Sequence, residues 1–255
     1  MILEQRYYKK RPKHVLASKI INATVFEVLE LARKYLTKDT RNIDLLDVGC
    51  GSGEYAFKFE KFVKKVVGVE PYIPIYEKAI KQRARYKSSV ILINKKIEAY
   101  QTNQRFDVVV SQNTIEHMPN AKKSFEKIFE LMRPGAILYL TAPNKLWPIE
   151  QHYHLPFLAL LPLKWANVYM RITGKGDSYE DCSYSLSYCG IRKFFDQFPC
   201  EYHFVVPKSI DVGYLGCGEG GIWYKFMLSV GIRLIRFNSF FWNFSKGFIL
   251  VAVKK

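Results

Sequence analysis

The stretch LLDVGCGSGEYA, residues 45–56, decides the fold of this chain. It begins inside an apolar run at residues 43–48, which predicts a buried strand. Three glycines follow at alternate positions: Gly49, Gly51 and Gly53. Glycines let the backbone turn tightly and approach a ligand closely, and the helix predicted after them presents unpaired N–H groups to negative charge. The segment therefore predicts a strand, a ligand-binding turn and a helix in direct succession.

Two acidic residues narrow the kind of ligand. Asp47 stands two residues ahead of the first glycine, and the glycine spacing is Gly-x-Gly-x-Gly rather than the Gly-x-Gly-x-x-Gly of dinucleotide-binding enzymes. A carboxylate at this point repels phosphates but can organise an ammonium group. Glu70 closes the next predicted strand, where an acid can accept hydrogen bonds from both hydroxyls of a ribose. The pair predicts a ligand with a ribose and a positive charge.

Outward from this segment, short apolar runs alternate with stretches of helical periodicity. The patterns predict helices at residues 18–36, 54–62, 73–86, 121–132 and 190–198, and strands at 43–48, 65–70, 90–94, 106–111, 136–142, 201–206 and 247–253. Strands that alternate with helices pair in parallel through right-handed crossovers. We therefore predict an α/β fold. Residues 147–172, rich in Pro, Trp, Leu and His, favour a lid over a regular strand–helix unit.

Four segments carry a resemblance to a known family: DVGCGSG at 47–53, VVGVEP at 66–71, RFDVVVSQNTIEHM at 105–118 and LMRPGAILYLTAPN at 131–144. In this order they resemble the successive motifs of the class I S-adenosylmethionine-dependent methyltransferases. The resemblance implies a Rossmann-like, mostly parallel seven-stranded sheet of order 3-2-1-4-5-7-6, with helices on both faces and an irregular, helical cap. It also implies a single domain over 1–255, with a cofactor-binding half at 40–144 and an acceptor-binding cap at 145–246.

The resemblance further implies S-adenosyl-L-methionine as the cofactor and assigns residues to it. The cofactor-binding residues expected from it are Asp47, Gly49, Cys50, Gly51, Glu70, Pro71, Ile97 and Gln112. The family often has an acidic residue near the adenine, where this chain has Lys96. Backbone groups around Ile97, assisted by Glu98, are expected to take that role. Gln112 is expected to contact the methionine moiety.

Three histidines are candidates for catalysis. Methyl transfer is an in-line displacement, so an enzyme must align the reactants and, for a hydroxyl acceptor, remove a proton. His117 follows the fourth predicted strand; in the family such a Glu-His pair also shapes the cofactor pocket. His152 and His154 lie beside Glu150 after the fifth strand. They can supply a base or a substrate contact, bind a metal, or hydrogen-bond the lid backbone.

The segment around His117 also resembles the ubiquinone-pathway O-methyltransferases, some of which hold a divalent cation through a Glu-x-x-Glu-His pattern. The first position of that pattern is Asn113 in this chain. Losing one carboxylate weakens a site for a hard cation. We therefore predict no metal ion. The five cysteines show no Cys-x-x-Cys spacing, which argues against a disulfide framework or a zinc site and favours a reducing cytoplasm.

The formal net charge of +16 favours an anionic partner surface. Basic residues cluster near the N-terminus at Arg6, Lys9, Lys10, Arg11, Lys13 and Lys19. The stretches 155–172 and 221–237 combine aromatic, aliphatic and basic residues as interfacial helices do, although core packing or a homodimer interface explains such stripes equally well. No window predicts a membrane-spanning helix or a signal peptide. We expect a cytoplasmic protein that associates with an anionic membrane face.

Together these features predict transfer of a methyl group to a hydroxyl of a small or lipid-linked acceptor, such as a glycolipid, sugar, quinone or phenol. Two alternatives stay open. Methylation of tRNA or another nucleic acid accords with the charge, but no nucleic-acid-binding motif accompanies it. A partner protein that binds the cofactor without catalysis would keep the same glycine loop.

Overall fold

The computed structural model describes residues 18–208, 212 and 222–255. Its helices are α1 (Ser18–Tyr35), α2 (Glu54–Phe59), α3 (Ile73–Tyr86), α4 (Ala121–Leu131), α5 (Leu163–Ile172), α6 (Tyr188–Phe195) and α7 (Ile222–Phe237). Its strands are β1 (Asp44–Val48), β2 (Lys65–Val69), β3 (Ile91–Ile93), β4 (Phe106–Gln112), β5 (Met132–Pro143), β6 (Cys200–Phe204) and β7 (Gly247–Lys254). Most of the basic N-terminal cluster lies outside the described residues.

The strands form one seven-stranded sheet of order β3-β2-β1-β4-β5-β7-β6. The first five pair in parallel, whereas β7 runs antiparallel to both β5 and β6. Two separate layers of buried apolar side chains pack on the sheet, one centred on Phe125 and Leu138, the other on Leu29 and Tyr139. Helices therefore cover both faces, and the predicted fold class and strand order are confirmed.

The register of the parallel strands gathers the predicted ligand-binding residues at one edge. Asp47 in β1 pairs with Gly68 in β2 and with Val110 in β4, so the carboxyl ends of these three strands lie side by side. Every residue of β1 is buried, which an apolar run inserted between two parallel neighbours requires. In open α/β sheets ligands bind outside such carboxyl ends. The glycine turn, Glu70 and the end of β4 meet there.

Several predicted boundaries shift for identifiable reasons. The helix predicted at 54–62 ends at Phe59, because Phe62 N then bonds to Phe59 O, three residues back, and the helix tightens into a turn. The strand predicted at 136–142 begins at Met132, which pairs with Phe106 ahead of a register shift. The strand predicted at 201–206 ends at Phe204.

The secondary structure of the cap differs most from what its sequence pattern predicts. Of the stretch 155–172, α5 alone is α-helical; it begins directly after Pro162, which is tolerated at a helix start but not in a helix interior. A single short 3-10 turn, Leu158–Leu160, precedes it. A small apolar cluster holds the cap together, including Leu158, Met170 and Tyr179. Among the described residues, no helix combines the length and apolarity that crossing a membrane requires.

Candidate functional site

The turn after β1 has the backbone of a ligand cradle. Gly49, Gly51 and Gly53 all have positive φ angles, of 72°, 56° and 88°. A Cβ atom on Gly49 would lie 2.5 Å from Thr114 Cγ2, so this glycine is required by packing. A Cβ on Gly51 would meet no atom within 4 Å. The loop is thus packed on one side at Gly49 and open at Gly51, where a ligand can lie against the backbone.

Asp47 places a buried carboxyl beside this loop. Only 2% of the residue is exposed, and its Oδ2 has no hydrogen-bond partner among the described residues. Burial, together with the nearby charges of Glu70 and Glu54, raises the pKa of Asp47 to about 7. An unpartnered carboxylate among other acids is costly unless a cation reaches it. The ammonium group of a bound amino acid would supply that cation.

Glu70 joins β2 to the loop. Its Oε2 accepts a hydrogen bond from Gly51 N and its Oε1 accepts one from Tyr72 N, both at 2.9 Å. Asn94 Nδ2 donates to the carbonyl oxygens of Glu70 and Pro71, which fixes the end of the strand. Glu70 thus places its carboxylate at the end of β2, where an acid can accept hydrogen bonds from the hydroxyls of a ribose.

The remaining predicted cofactor residues surround the same edge. Ile97 is buried in a 3-10 turn after β3. Gln112 ends β4, and its Nε2 is buried without a partner among the described residues. The side chain of Cys50 lies against β2, where a Cβ added to Gly68 would meet the Cys50 sulfur at 2.8 Å, so Cys50 offers the loop its backbone. Glu98, the expected assistant, instead accepts a hydrogen bond from Ser124 Oγ.

A second set of polar residues is buried beyond β4, under the cap. We call it the cap cluster; its members are Glu116, His117, Glu150, His152, Tyr153, Tyr179, Asp181 and Cys182. Glu116 and His117 belong to a 3-10 turn directly after β4, whereas the others come from the segment after β5. The cap thereby meets the end of the sheet through ionisable side chains that lie beside its apolar cluster.

His152 is the best-anchored histidine of the cap cluster. Its Nδ1 lies 2.8 Å from Glu150 Oε1, and its backbone N–H donates to Glu150 Oε2. Its Nε2 lies 3.8 Å from Glu116 Oε1. Burial opposes the charged imidazolium, but the hydrogen bond and charge of Glu150 outweigh it and raise the pKa of His152. The same contacts lower the pKa of Glu150 against the effect of its burial.

His117 and Glu116 are the two members of the cap cluster that follow β4. His117 Nδ1 lies 2.6 Å from the carbonyl oxygen of Asp181 and 3.8 Å from Cys182 Sγ. Burial, together with the charge of His152, lowers the pKa of His117 to about 4. Both carboxylate oxygens of Glu116 are buried with no hydrogen-bond partner in the described chain. Burial raises the pKa of Glu116 to about 7, against the attraction of His152.

The structure brings together two of the three predicted catalytic histidines and leaves one out. The rings of His117 and His152 stand edge to face with their centroids 5.1 Å apart. His154 is exposed and has a left-handed backbone, with φ of 56°. Sequence reasoning missed Tyr153, whose hydroxyl donates to Asp181, and it missed Cys182. No spacing signal links residue 117 to residue 182; only the fold makes them neighbours.

Comparison with known proteins decides the family. A family model described as a methyltransferase domain matches residues 21–181, more than half of the chain. The chain belongs to the class I S-adenosylmethionine-dependent methyltransferases. The predicted cofactor, S-adenosyl-L-methionine, is confirmed with the family, and the open Gly51 backbone, the unpartnered Asp47 oxygen and the position of Glu70 all fit it. The notable feature of this methyltransferase is the cap cluster beside that cofactor edge.

Its relatives are distant. The chain is 25% identical over 103 residues to a ubiquinone biosynthesis O-methyltransferase of Rhodopseudomonas palustris (strain TIE-1), covering 40% of this chain and 41% of the relative. It is 26% identical over 117 residues to the mitochondrial enzyme of that name from Bos taurus, covering 42% and 30%. The matched stretch thus spans less than half the length of these relatives.

Solved structures share the fold over nearly the whole chain. The plantazolicin methyltransferase BpumL in complex with SAH superimposes with a TM-score of 0.58 at 13% identity, covering 99% of this chain and 88% of the other. The magnesium protoporphyrin IX methyltransferase ChlM from Synechocystis PCC 6803 gives 0.54 at 14% identity, covering 99% and 93%. At such identities the likeness concerns the fold alone.

Proposed function

We propose that this methyltransferase transfers the methyl group of S-adenosylmethionine to a hydroxyl of a small or lipid-linked acceptor. The observation that carries the proposal is the pairing of two buried polar regions at one edge of the sheet. The first region contains Asp47 and Glu70, whose carboxylates would bind the ammonium group and the ribose of the methyl donor. The second, the cap cluster, has ionisable groups that a simple structural cap does not need.

The donor would bind through the cradle after β1. Asp47 would accept from the ammonium group, the backbone at Gly49, Cys50 and Gly51 would line the methionine moiety, and Glu70 with Pro71 would hold the ribose. The buried Nε2 of Gln112 would donate to the amino-acid end. Ile97 would pack against the adenine. These groups bind and orient the donor, which is the main requirement of an in-line displacement.

The acceptor would approach from the cap side, towards His117 and His152. A hydroxyl acceptor must lose its proton as the methyl group arrives, and the cap cluster is where groups that favour that loss are concentrated. His154 is exposed, whereas His117 and His152 lie in the cap cluster, so His154 is the weakest of the three candidates. The distant relatives are named as O-methyltransferases of ubiquinone biosynthesis, and this supports oxygen as the accepting atom here.

A lipid-linked acceptor accords with the apolar surface of the chain. Exposed large apolar side chains occur on α5 and its flanks and on α7 and the turn after it, including Phe157, Trp165, Ile172, Phe226, Met227, Phe237, Phe240 and Phe244. Basic residues of the same elements, Lys164, Arg171, Arg233 and Arg236, would face anionic head groups. We propose that these elements rest on an anionic membrane surface, with a homodimer as the competing occupant.

The test is transfer of label from S-[methyl-³H]adenosylmethionine to separate pools of glycolipids, phenols with quinone precursors, and bulk tRNA. We expect counts in one of the two hydroxyl-bearing pools, released by ether cleavage and not by mild base. An Asp47→Asn variant, which keeps the shape of the side chain but lacks the charge, serves as the control for donor-dependent transfer.

The outcomes separate the alternatives. Transfer to tRNA alone would replace the proposal with nucleic-acid methylation. Binding of S-adenosylhomocysteine (SAH) by calorimetry with no transfer to any pool would favour a partner protein that has kept the donor site. Failure of SAH binding in the wild-type chain would remove the basis of the proposal.

A further inference from the structure

Three side chains of the cap cluster have the composition of a transition-metal site. One ring nitrogen of His117, one of His152 and the sulfur of Cys182 all lie within 4.8 Å of one another. Ligand atoms around a tetrahedral zinc ion stand about 3.3–3.8 Å apart, so these side chains need to close by about 1 Å. Small rotamer adjustments inside a polar cluster supply that movement. The three come from two different segments, the turn after β4 and the cap.

Each of the two histidines has one ring nitrogen held by an oxygen of the cap. His152 Nδ1 lies 2.8 Å from Glu150 Oε1. His117 Nδ1 lies 2.6 Å from the carbonyl oxygen of Asp181 and 3.8 Å from Cys182 Sγ. A carboxylate or carbonyl behind one ring nitrogen orients a histidine and raises its basicity towards a metal bound at the other nitrogen. Both histidines have such support.

The charge of the cap cluster also calls for a cation. Glu116, Glu150 and Asp181 are all buried, and within the cluster only two imidazoles face them. Glu150 and Asp181 each accept hydrogen bonds, from His152 and from the hydroxyl of Tyr153. Glu116 accepts no hydrogen bond from the part of the chain that the structure describes, although it is fully buried and its Oε1 lies 3.8 Å from His152 Nε2. Buried carboxylates of this kind are paired or coordinate metals.

We propose that His117, His152 and Cys182 bind a divalent transition-metal ion of the zinc class, with Glu116 as the fourth ligand. Thiolate and imidazole ligands select such ions over Mg²⁺, which prefers oxygen ligands. The Cys182–H bond breaks as the sulfur–metal bond forms, and the proton passes to solvent. This ligand set shares Glu116 and His117 with the Glu-x-x-Glu-His pattern but takes its other two ligands, His152 and Cys182, from the cap; the first position of the pattern, Asn113, accepts a hydrogen bond from Thr141.

The ion would connect the cap to the sheet, because His117 and Glu116 follow β4 whereas His152 and Cys182 belong to the cap. With four protein ligands the site is closed, as structural zinc sites are, so its role would be to hold the cap against the sheet. The metal site itself rests on the side chains alone and is tested without any acceptor.

The experiment is titration of the metal-stripped protein with Co²⁺, because the visible absorption bands of this ion depend on which atoms bind it. We expect one Co²⁺ per chain, visible d–d bands of tetrahedral intensity and a sulfur-to-cobalt charge-transfer band, all removed by one equivalent of Zn²⁺. Cys182→Ser should abolish the charge-transfer band, and His152→Gln should weaken binding by at least about tenfold. Cys189→Ser, which removes an exposed cysteine of α6, is the matched control and should bind as the wild type does.

The wild-type protein alone can overturn the proposal, whether or not the variants fold. Absence of a charge-transfer band, or an unchanged melting temperature of the stripped protein when Zn²⁺ is added, would do so. Retention of the band in folded Cys182→Ser, checked by circular dichroism, would do so as well. SAH binding measured on the same samples separates the two proposals, because its failure removes the proposed function while leaving the metal site in place.

Discussion

The backbone N–H of Gly51 donates a 2.9 Å hydrogen bond to Oε2 of Glu70, and this contact joins the turn after β1 to the end of β2. Glu70 therefore serves the glycine loop as well as the ribose it is proposed to bind. Because the loop and the ribose contact depend on one side chain, the donor site is formed by two strands acting together.

Removing the Glu70 carboxylate should accordingly weaken donor binding more than one lost contact would. We expect Glu70→Ala to raise the dissociation constant for SAH by at least about 100-fold, and Glu70→Gln, which keeps one acceptor oxygen, by about tenfold. Isothermal titration calorimetry measures both. Glu77→Ala, on the exposed face of α3, should bind SAH like the wild type. Equal affinity of all variants would contradict the role of Glu70.

The contrast between two glycines tests where the donor lies. Gly51 and Gly174 both have positive φ, of 56° and 65°, and a Cβ on either would meet no atom within 4 Å. Alanine at each position should cost a similar free energy of unfolding, about 1 kcal/mol, from backbone strain. Gly51→Ala should also lower SAH affinity at least about tenfold, because the methyl group occupies the cradle, whereas Gly174→Ala should leave affinity unchanged. Denaturant melts and calorimetry measure the two effects separately.

Asp47 should make the ligand-free protein less stable as the pH rises. In the unfolded chain this carboxyl loses its proton near 3.8, but in the folded chain it does so near 7. The folded state therefore holds the extra proton between these values, and stability from this group declines from about pH 4 to about pH 7. Asp47→Asn should stabilise the ligand-free protein by about 2–4 kcal/mol at about pH 8 and by much less below pH 4.

The same substitution should damage donor binding, because an amide cannot neutralise the ammonium group. For the wild type we expect SAH binding to weaken below about pH 7 and to release protons, which calorimetry in buffers of different ionisation enthalpy detects. Asp47→Asn should bind weakly at every pH and release none through this group. A variant that is both less stable at pH 8 and unaffected in binding would refute this account of Asp47.

The donor half could be predicted because its signals are local. Asp47, the glycines and Glu70 lie within one strand–turn–helix–strand unit, so the spacing along the sequence already fixes their arrangement in space. The final strand, β7, was also predictable, since residues 247–253 form an uninterrupted apolar run; its position in the sheet order followed from the family resemblance. The sequence did not reveal that Glu98, the expected assistant at the adenine, accepts a hydrogen bond from Ser124 on α4, because that contact depends on how the helix packs against the turn after β3.

The acceptor half could not be predicted in the same way. His117 and Cys182 are 65 residues apart, and their contact depends on how the cap folds back over the end of β4. His152 and His154 look equivalent in the sequence, yet Glu150 accepts from His152 and buries it, whereas the left-handed backbone at His154 turns that residue outward. In an irregular segment, the spacing of residues along the sequence does not indicate which side chains are buried.

Asn144 should prove a main support of the cap. Its buried Nδ2 donates to the carbonyl oxygens of Trp242, Asn243 and Ser245, and its Oδ1 accepts from Leu146 N. Asn144→Ala leaves these groups without partners and should lower the free energy of unfolding by about 3 kcal/mol. Asn243→Ala, which loses one exposed hydrogen bond to Phe240 O, should cost less than about 1 kcal/mol. Urea denaturation measures both; equal losses would contradict the proposed support.

The exposed rings after α7 test the membrane proposal. Phe240 and Phe244 are 59% and 64% exposed, and their ring centroids lie 5.6 Å apart. If they enter a bilayer surface, replacing either by Asp removes about 1.5–3 kcal/mol of apolar burial and should weaken vesicle binding at least about tenfold. Co-sedimentation with phosphatidylglycerol vesicles measures this, with phosphatidylcholine vesicles and added salt expected to reduce binding in the wild type.

Phe26→Asp on α1, where a ring is 51% exposed, provides the matched control and should sediment with vesicles like the wild type. The same variants distinguish lipid from a second copy of the chain. A wild-type protein that elutes as a dimer, becomes a monomer on Phe240→Asp and does not bind phosphatidylglycerol would show that these rings form a subunit interface. Because a lipid-linked acceptor needs a membrane-facing cap, that result would also redirect the search for the acceptor towards water-soluble hydroxyl compounds.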